Sequence, residues 1–122
     1  MHSRLGRLIR ASSDSLRGIA FAYRNEPSFQ EEIAAFIVAI FISVFIAPSA
    51  GWYVAMVGVL LIVIAIELLN TGLEKLADHV SPEWNAQIGL VKDCGSAAVL
   101  CILMVAVLIW TAALGVRVGL FS

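Results

Sequence analysis

Long uncharged runs separated by short polar breaks dominate the chain: residues 33–47, 54–66 and 94–116 carry no Asp, Glu, Lys or Arg. Runs of this kind read as membrane helices. Pro27, Pro48 and Pro82 stand in or beside the breaks. A proline lacks the amide hydrogen and restrains the residue before it, so each marks a place where a helix begins or stops. The pattern predicts four helices over 4–24, 27–47, 52–77 and 82–118. In the first, Leu5, Leu8, Ile9, Leu16, Ile19 and Tyr23 share one face and the arginines the other, with Phe21 off the apolar stripe. That periodicity belongs to a helix lying in a membrane surface. The second carries Glu31 and Glu32 in its early turns and has an uncharged core of about 15 residues, short for a span of about 20, so Phe29 and Gln30 must complete the crossing. Residues 48–51 are expected to form a tight turn. The expectation is an all-α membrane protein of one domain, with three spans and an amino-terminal surface helix.

Composition agrees with that class. With 61% hydrophobic and only 14% charged residues, 122 residues are too apolar for a soluble domain. The net charge of −1 does not point to nucleic acid. Its distribution is more useful: Arg4, Arg7, Arg10, Arg17 and Arg24 all precede the first apolar run, while Lys75 and Lys92 flank the break between the last two. Positive charge stays on the cytoplasmic side, which puts the amino end inside and the carboxyl end outside. Trp52, Tyr53 and Trp110 then fall at the outer interface. An Arg- and Ser-rich start is also the composition of a transit peptide, but this one leads straight into an acidic cluster, and no cleavage pattern marks a secretory signal.

Glu67, Asn70, Glu74 and Asp78 follow the third apolar run at spacings of three and four, so they form one stripe of a helix, with Thr71 at its edge. Glu67 lies at or just inside the membrane boundary, where an ionisable group needs a partner or a task. A second constellation, Lys92 and Asp93 followed by the small residues 95–98, faces the first across the loop. Small residues permit close helix packing or close approach of a ligand. Glu26, before Pro27, is expected at the depth of Glu74; two carboxylates with phosphate oxygens and waters would satisfy Mg²⁺. Asp14, Glu31, Glu32 and Lys75 read as solvated interface charges, and His2 and His79 as end and loop histidines. Cys94 and Cys101 stand about 10 Å apart along one helix, too far for a disulfide between them. No Cys or His spacing suggests zinc, and no glycine-rich phosphate loop occurs.

The run from Glu67 through Asn70, Thr71 and Glu74 to Asp78, the sequence Lys92-Asp93-Cys-Gly-Ser96-Ala-Ala-Val99, and Asn25-Glu26 before the first span together resemble the bacterial integral-membrane diacylglycerol kinase family. The resemblance covers nearly the whole chain. It implies a homotrimer of three-span subunits in the bacterial inner membrane, with sites shared between subunits at the cytoplasmic interface. There the γ-phosphate of MgATP passes to the primary hydroxyl of diacylglycerol, giving phosphatidic acid. By the same resemblance Glu67 is the base on the lipid hydroxyl, and Glu26 and Glu74 are magnesium ligands. Lys92 and Asp93 contact the nucleotide with Asn70 and Asp78 in support. Arg7 and Glu83 make further ATP contacts, and Arg7 and Ser96 touch the lipid. Gly72 stands where the family usually has alanine, and Asp14 where an aromatic residue is common. Two other readings compete: a kinase of the same fold acting on undecaprenol, and a small oligomeric transporter using Glu67 as a proton or cation site.

Overall fold

The computed structural model describes residues 3–122, so His2 lies outside the described residues. Within them are four helices: α1 (Arg4–Asn25), α2 (Pro27–Ile46), α3 (Ala50–Val80) and α4 (Ala86–Arg117). The last three are long and apolar enough to cross a membrane.

Local chemistry sets each boundary. The Ser3 side chain accepts from the Gly6 amide at 3.0 Å and opens α1. Glu26 ends α1 and caps α2 in an extended conformation (φ −120°, ψ 100°), because Pro27 bars its predecessor from the helical region. Ser49 accepts from the Trp52 amide and starts α3 at Ala50, so Gly51 lies inside the helix and the turn is shorter than residues 48–51. The fourth helix begins at Ala86, not at 82. Asn85 accepts from the Ile88 amide at 2.9 Å, and this side-chain cap prevails over the proline signal. Residues 81–85 are a loop knit by Ser81, whose hydroxyl donates to the Glu83 carbonyl and accepts from the Asn85 amide group. Helix α3 also runs on to Val80 rather than stopping at 77, while α2 ends at Ile46 and α4 at Arg117, one residue short of 47 and 118.

Helices α3 and α4 form the closest pair. Met56, Val63, Asn70 and Ala77 recur every seven residues along α3, and three of the four are buried. On α4 the buried positions, Gly95, Ala106, Ala113 and Gly115, are all small. Lipid provides no hydrophobic drive between spans, so packing relies on close backbone approach and van der Waals contact. Val59, Val63 and Ala106 form the centre, with Leu60, Ile102, Ile109 and Trp110 packed around it. Helix α2 lies against this pair chiefly on the α3 side; its buried residues are Phe29 and Ser43, whose hydroxyl donates to the Ile40 carbonyl. Only 11–17% of each span is buried within the chain, which leaves Phe41, Phe45, Leu100 and Leu108 free to face lipid or other subunits.

Trp110 also joins two helices. It is half-buried, and its indole N–H donates to the Met56 carbonyl at 3.1 Å, fastening α4 to α3. Trp110→Phe keeps the ring but loses the bond, so it should cost about 0.5–1.5 kcal/mol. Thermal unfolding in detergent checks this, and an unchanged midpoint would show that the bond contributes nothing. Beyond α4 the chain reverses at Gly119 (φ 85°), and the Leu120 and Phe121 amides donate back to the Gly115 carbonyl.

Candidate active site

The 31-residue helix α3 carries the acidic stripe as one rigid unit. Glu67, Asn70 and Glu74 are half-buried, and Asp78 is exposed at the end that leads into the loop. The Asn70 amide nitrogen donates to Glu74 Oε1 at 3.3 Å, fixing the carboxylate one turn further on. The other end of the amide presses against α4. Asn70 Oδ1 is buried without a hydrogen-bond partner among the described residues and occupies the space that a side chain on Gly95 would need. Of the small residues 95–98, Gly95 therefore serves packing, whereas Ser96, Ala97 and Ala98 are exposed.

Where α3 passes to α4, Lys92 Nζ donates to Asp78 Oδ1 at 2.6 Å and joins the two constellations. The bridge is about half exposed, so it is weak, and Lys92 can exchange it for a stronger anion. Asp78, Glu83, Lys92 and Asp93 line one polar pocket of about 280 Å³, together with Trp84, Ile88 and Gly89. Four of the predicted site residues thus meet in one place. Trp84, 82% exposed, had no role in the sequence reading; its indole nitrogen lies 3.3 Å from where a Cβ on Gly89 would stand.

Other expected residues stand apart from that pocket. Glu26 is half-buried at the α1–α2 junction, with its backbone N–H bonded to the Ala22 carbonyl. Arg7 is exposed in the first turns of α1, and Ser96 is exposed on α4 beyond Gly95. Asp14 pairs with Arg17 one turn along its own helix, which accounts for its charge locally. Lys75 sits 5.7 Å from the Phe21 ring centroid and ties α1 to α3. Cys94 and Cys101 are free and exposed.

Glu32 is the residue that the sequence reading misplaced. Its neighbour Glu31 is exposed, but Glu32 is half-buried, and on the facing helix Glu67 stands one turn beyond the groove residues Val63 and Ile64. It is also the one charged residue lining an apolar groove of about 350 Å³ between α2, α3 and α4. The helical spacing of Glu32, Ala35, Phe36 and Ala39 held the signal, because these positions form one stripe and Glu31 falls off it.

The donor set for a cation is sparse. Among the described residues no three His, Cys, Asp or Glu side chains gather into a cage. Glu74 keeps one oxygen free of Asn70, and Glu26 makes no side-chain hydrogen bond or ion pair among the described residues. One or two such carboxylates suit a divalent ion that arrives with phosphate oxygens rather than one the protein holds alone.

The profile of the family described as prokaryotic diacylglycerol kinase matches residues 13–114. The chain belongs to the prokaryotic diacylglycerol kinase family. It is 34% identical over 104 residues to "Diacylglycerol kinase" of Escherichia coli K12, covering 85% of each chain. To the protein of the same name from Haemophilus influenzae it is 31% identical, covering 87% of this chain and 90% of the relative. The protein of that name from Pseudomonas aeruginosa is 33% identical, with 87% and 86% covered. Family membership makes the chain a lipid kinase and, with its three apolar helices, a multi-pass membrane protein. A kinase of this family uses ATP.

Proposed function

We propose that this protein transfers the γ-phosphate of MgATP to the primary hydroxyl of diacylglycerol, giving phosphatidic acid. The observation that carries the reading is the arrangement along α3 and α4. Glu67 follows Leu60, Val63 and Ile64, which line an apolar groove, and a polar pocket lined by Lys92 stands further along the same helix pair. A lipid can keep its chains in the apolar region while its hydroxyl meets Glu67, and the nucleotide can approach from water.

In this reading Glu67 takes the hydroxyl proton as the oxygen attacks the γ-phosphorus and the bond to the β-phosphate oxygen breaks, releasing ADP. Asn70 holds Glu74 in place. Lys92 leaves Asp78 for the phosphates, while Asp93, Asp78, Glu83 and Arg7 contact the nucleotide, and Arg7 and Ser96 meet the lipid. Glu26 and Glu74 would hold Mg²⁺, whose contribution is neutralisation of phosphate charge. Phosphoryl transfer depends on such positioning and neutralisation rather than on covalent help from the protein.

We further propose a homotrimer in the bacterial inner membrane, with α1 flat on the cytoplasmic surface, the carboxyl end outside and sites completed by neighbouring subunits. The small buried share of each span supports this, because Glu67 and Glu74 need more cover than one chain gives. The mass of the detergent-solubilised complex decides the subunit number.

Purified protein with MgATP should phosphorylate diacylglycerol faster than undecaprenol, and the reverse order would replace the substrate assigned here. Glu67→Gln should lower kcat on diacylglycerol by about 10²- to 10⁴-fold, the usual contribution of a general base, with MgATP affinity nearly unchanged. Lost MgATP binding with normal turnover at saturation would move Glu67 to the metal shell.

A further inference from the structure

Glu32 is the one acidic residue of the early turns of α2 that turns inward. Its Oε2 is buried without a hydrogen-bonding partner among the described residues, in a groove whose other lining residues, among them Ala35, Phe36, Val63 and Leu103, are uncharged. A carboxylate oxygen in such a setting is costly unless another group uses it. Ala39 of α2 and Leu60 of α3 line the same groove, and seven residues on from each along antiparallel helices stand Glu32 and Glu67. Glu67 continues the stripe of Leu60, Val63 and Ile64 by one turn, which sets it beside Glu32 at the polar end of the groove. A lipid hydroxyl would arrive at that end.

We propose that Glu32 is the positioning residue for Glu67, fixing the direction in which the Glu67 carboxyl meets the lipid hydroxyl. The inference rests on the reading of Glu67 as the base. A base at the end of a flexible side chain samples many orientations, and a second group bonded to one of its oxygens leaves the other directed at the substrate. Two carboxyl groups make such a bond when one oxygen carries a proton. A glutamine in place of Glu32 offers an amide N–H for the same purpose.

The test measures kcat, KM for MgATP and thermal midpoint in Glu32→Ala, Glu32→Leu, Glu32→Gln, Glu67→Gln and the double variant Glu32→Leu with Glu67→Gln. Exposed Glu31→Gln serves as a control and should stay within about two-fold of wild type. Leucine preserves the packing if the alanine variant proves unstable. The inference expects kcat to fall about 10- to 100-fold in the alanine and leucine variants, the cost of a misdirected catalytic group, with KM for MgATP within about two-fold. Glutamine should recover most of the rate. The double variant should be no slower than Glu67→Gln alone, because a residue that acts through Glu67 has nothing left to position. A wild-type rate in Glu32→Leu, a loss as large in Glu32→Gln as in Glu32→Leu, a raised KM for MgATP, or a further loss in the double variant would each overturn it. If Glu67→Gln itself kept the wild-type rate, the base assignment would fall and this inference with it, whereas any of the other outcomes leaves that assignment standing.

Discussion

Glu74→Gln is expected to remove most phosphoryl transfer, by about 10²- to 10³-fold in kcat, and to weaken MgATP binding while leaving the fold intact. The substitution keeps the volume of the side chain and its hydrogen bond from Asn70 but removes the negative charge proposed to hold the metal. Apolar packing is untouched, so the thermal midpoint should move little. Glu26→Gln should show the same signature. Its backbone is set by Pro27, and the changed side chain leaves the α1–α2 corner alone. The informative quantity is nucleotide affinity measured by titration with MgATP. Either variant binding MgATP as tightly as wild type, with a near-normal rate, would show that the residue is not a metal ligand.

A second large effect is expected from Gly95→Ala, which touches no substrate. An added Cβ falls on the Asn70 amide and stands 3.0 Å from Leu73 Cδ2, so α3 and α4 must part or Asn70 must turn away. Overpacking of this kind costs about 1–3 kcal/mol. Because Asn70 also holds Glu74, the displacement should reach the phosphoryl-transfer site and lower kcat at least tenfold, with helical content retained by circular dichroism. Gly72→Ala is the natural comparison. Among the described residues nothing lies within 4 Å of a Cβ built there, so an alanine can be accommodated. Full activity and an unchanged midpoint in Gly95→Ala would show that the close Asn70–Gly95 contact has no bearing on catalysis.

Uncharged runs and prolines made the helices legible because both act locally: a proline changes its own turn, and a span must be apolar along its whole length. Boundaries were harder. Pro82 and Asn85 both propose a helix start, and only the Ser81–Glu83–Asn85 hydrogen bonds show that Asn85 prevails. The stripe from Glu67 to Asp78 was readable because helical period alone puts those residues on one face. Glu32 was not, since its neighbour Glu31 has the same chemistry and only packing against α3 separates the two. The bond from Trp110 to α3 was not legible for a related reason: nothing local pairs an indole with a carbonyl on the next helix. The pocket that gathers Asp78, Glu83, Lys92 and Asp93 depends on the loop conformation, which no periodicity encodes.

Helix α3 continues without a break from Ala50 to Val80. Three turns of it separate Glu67 from Asp78, about 16 Å along the axis. In the proposed reading, the level at which a lipid meets Glu67 and the level of Asp78, which pairs with Lys92, are therefore separated by a fixed length of helix. A substrate anchored in the leaflet has no need to be lifted into water, and a nucleotide has no need to enter the hydrocarbon.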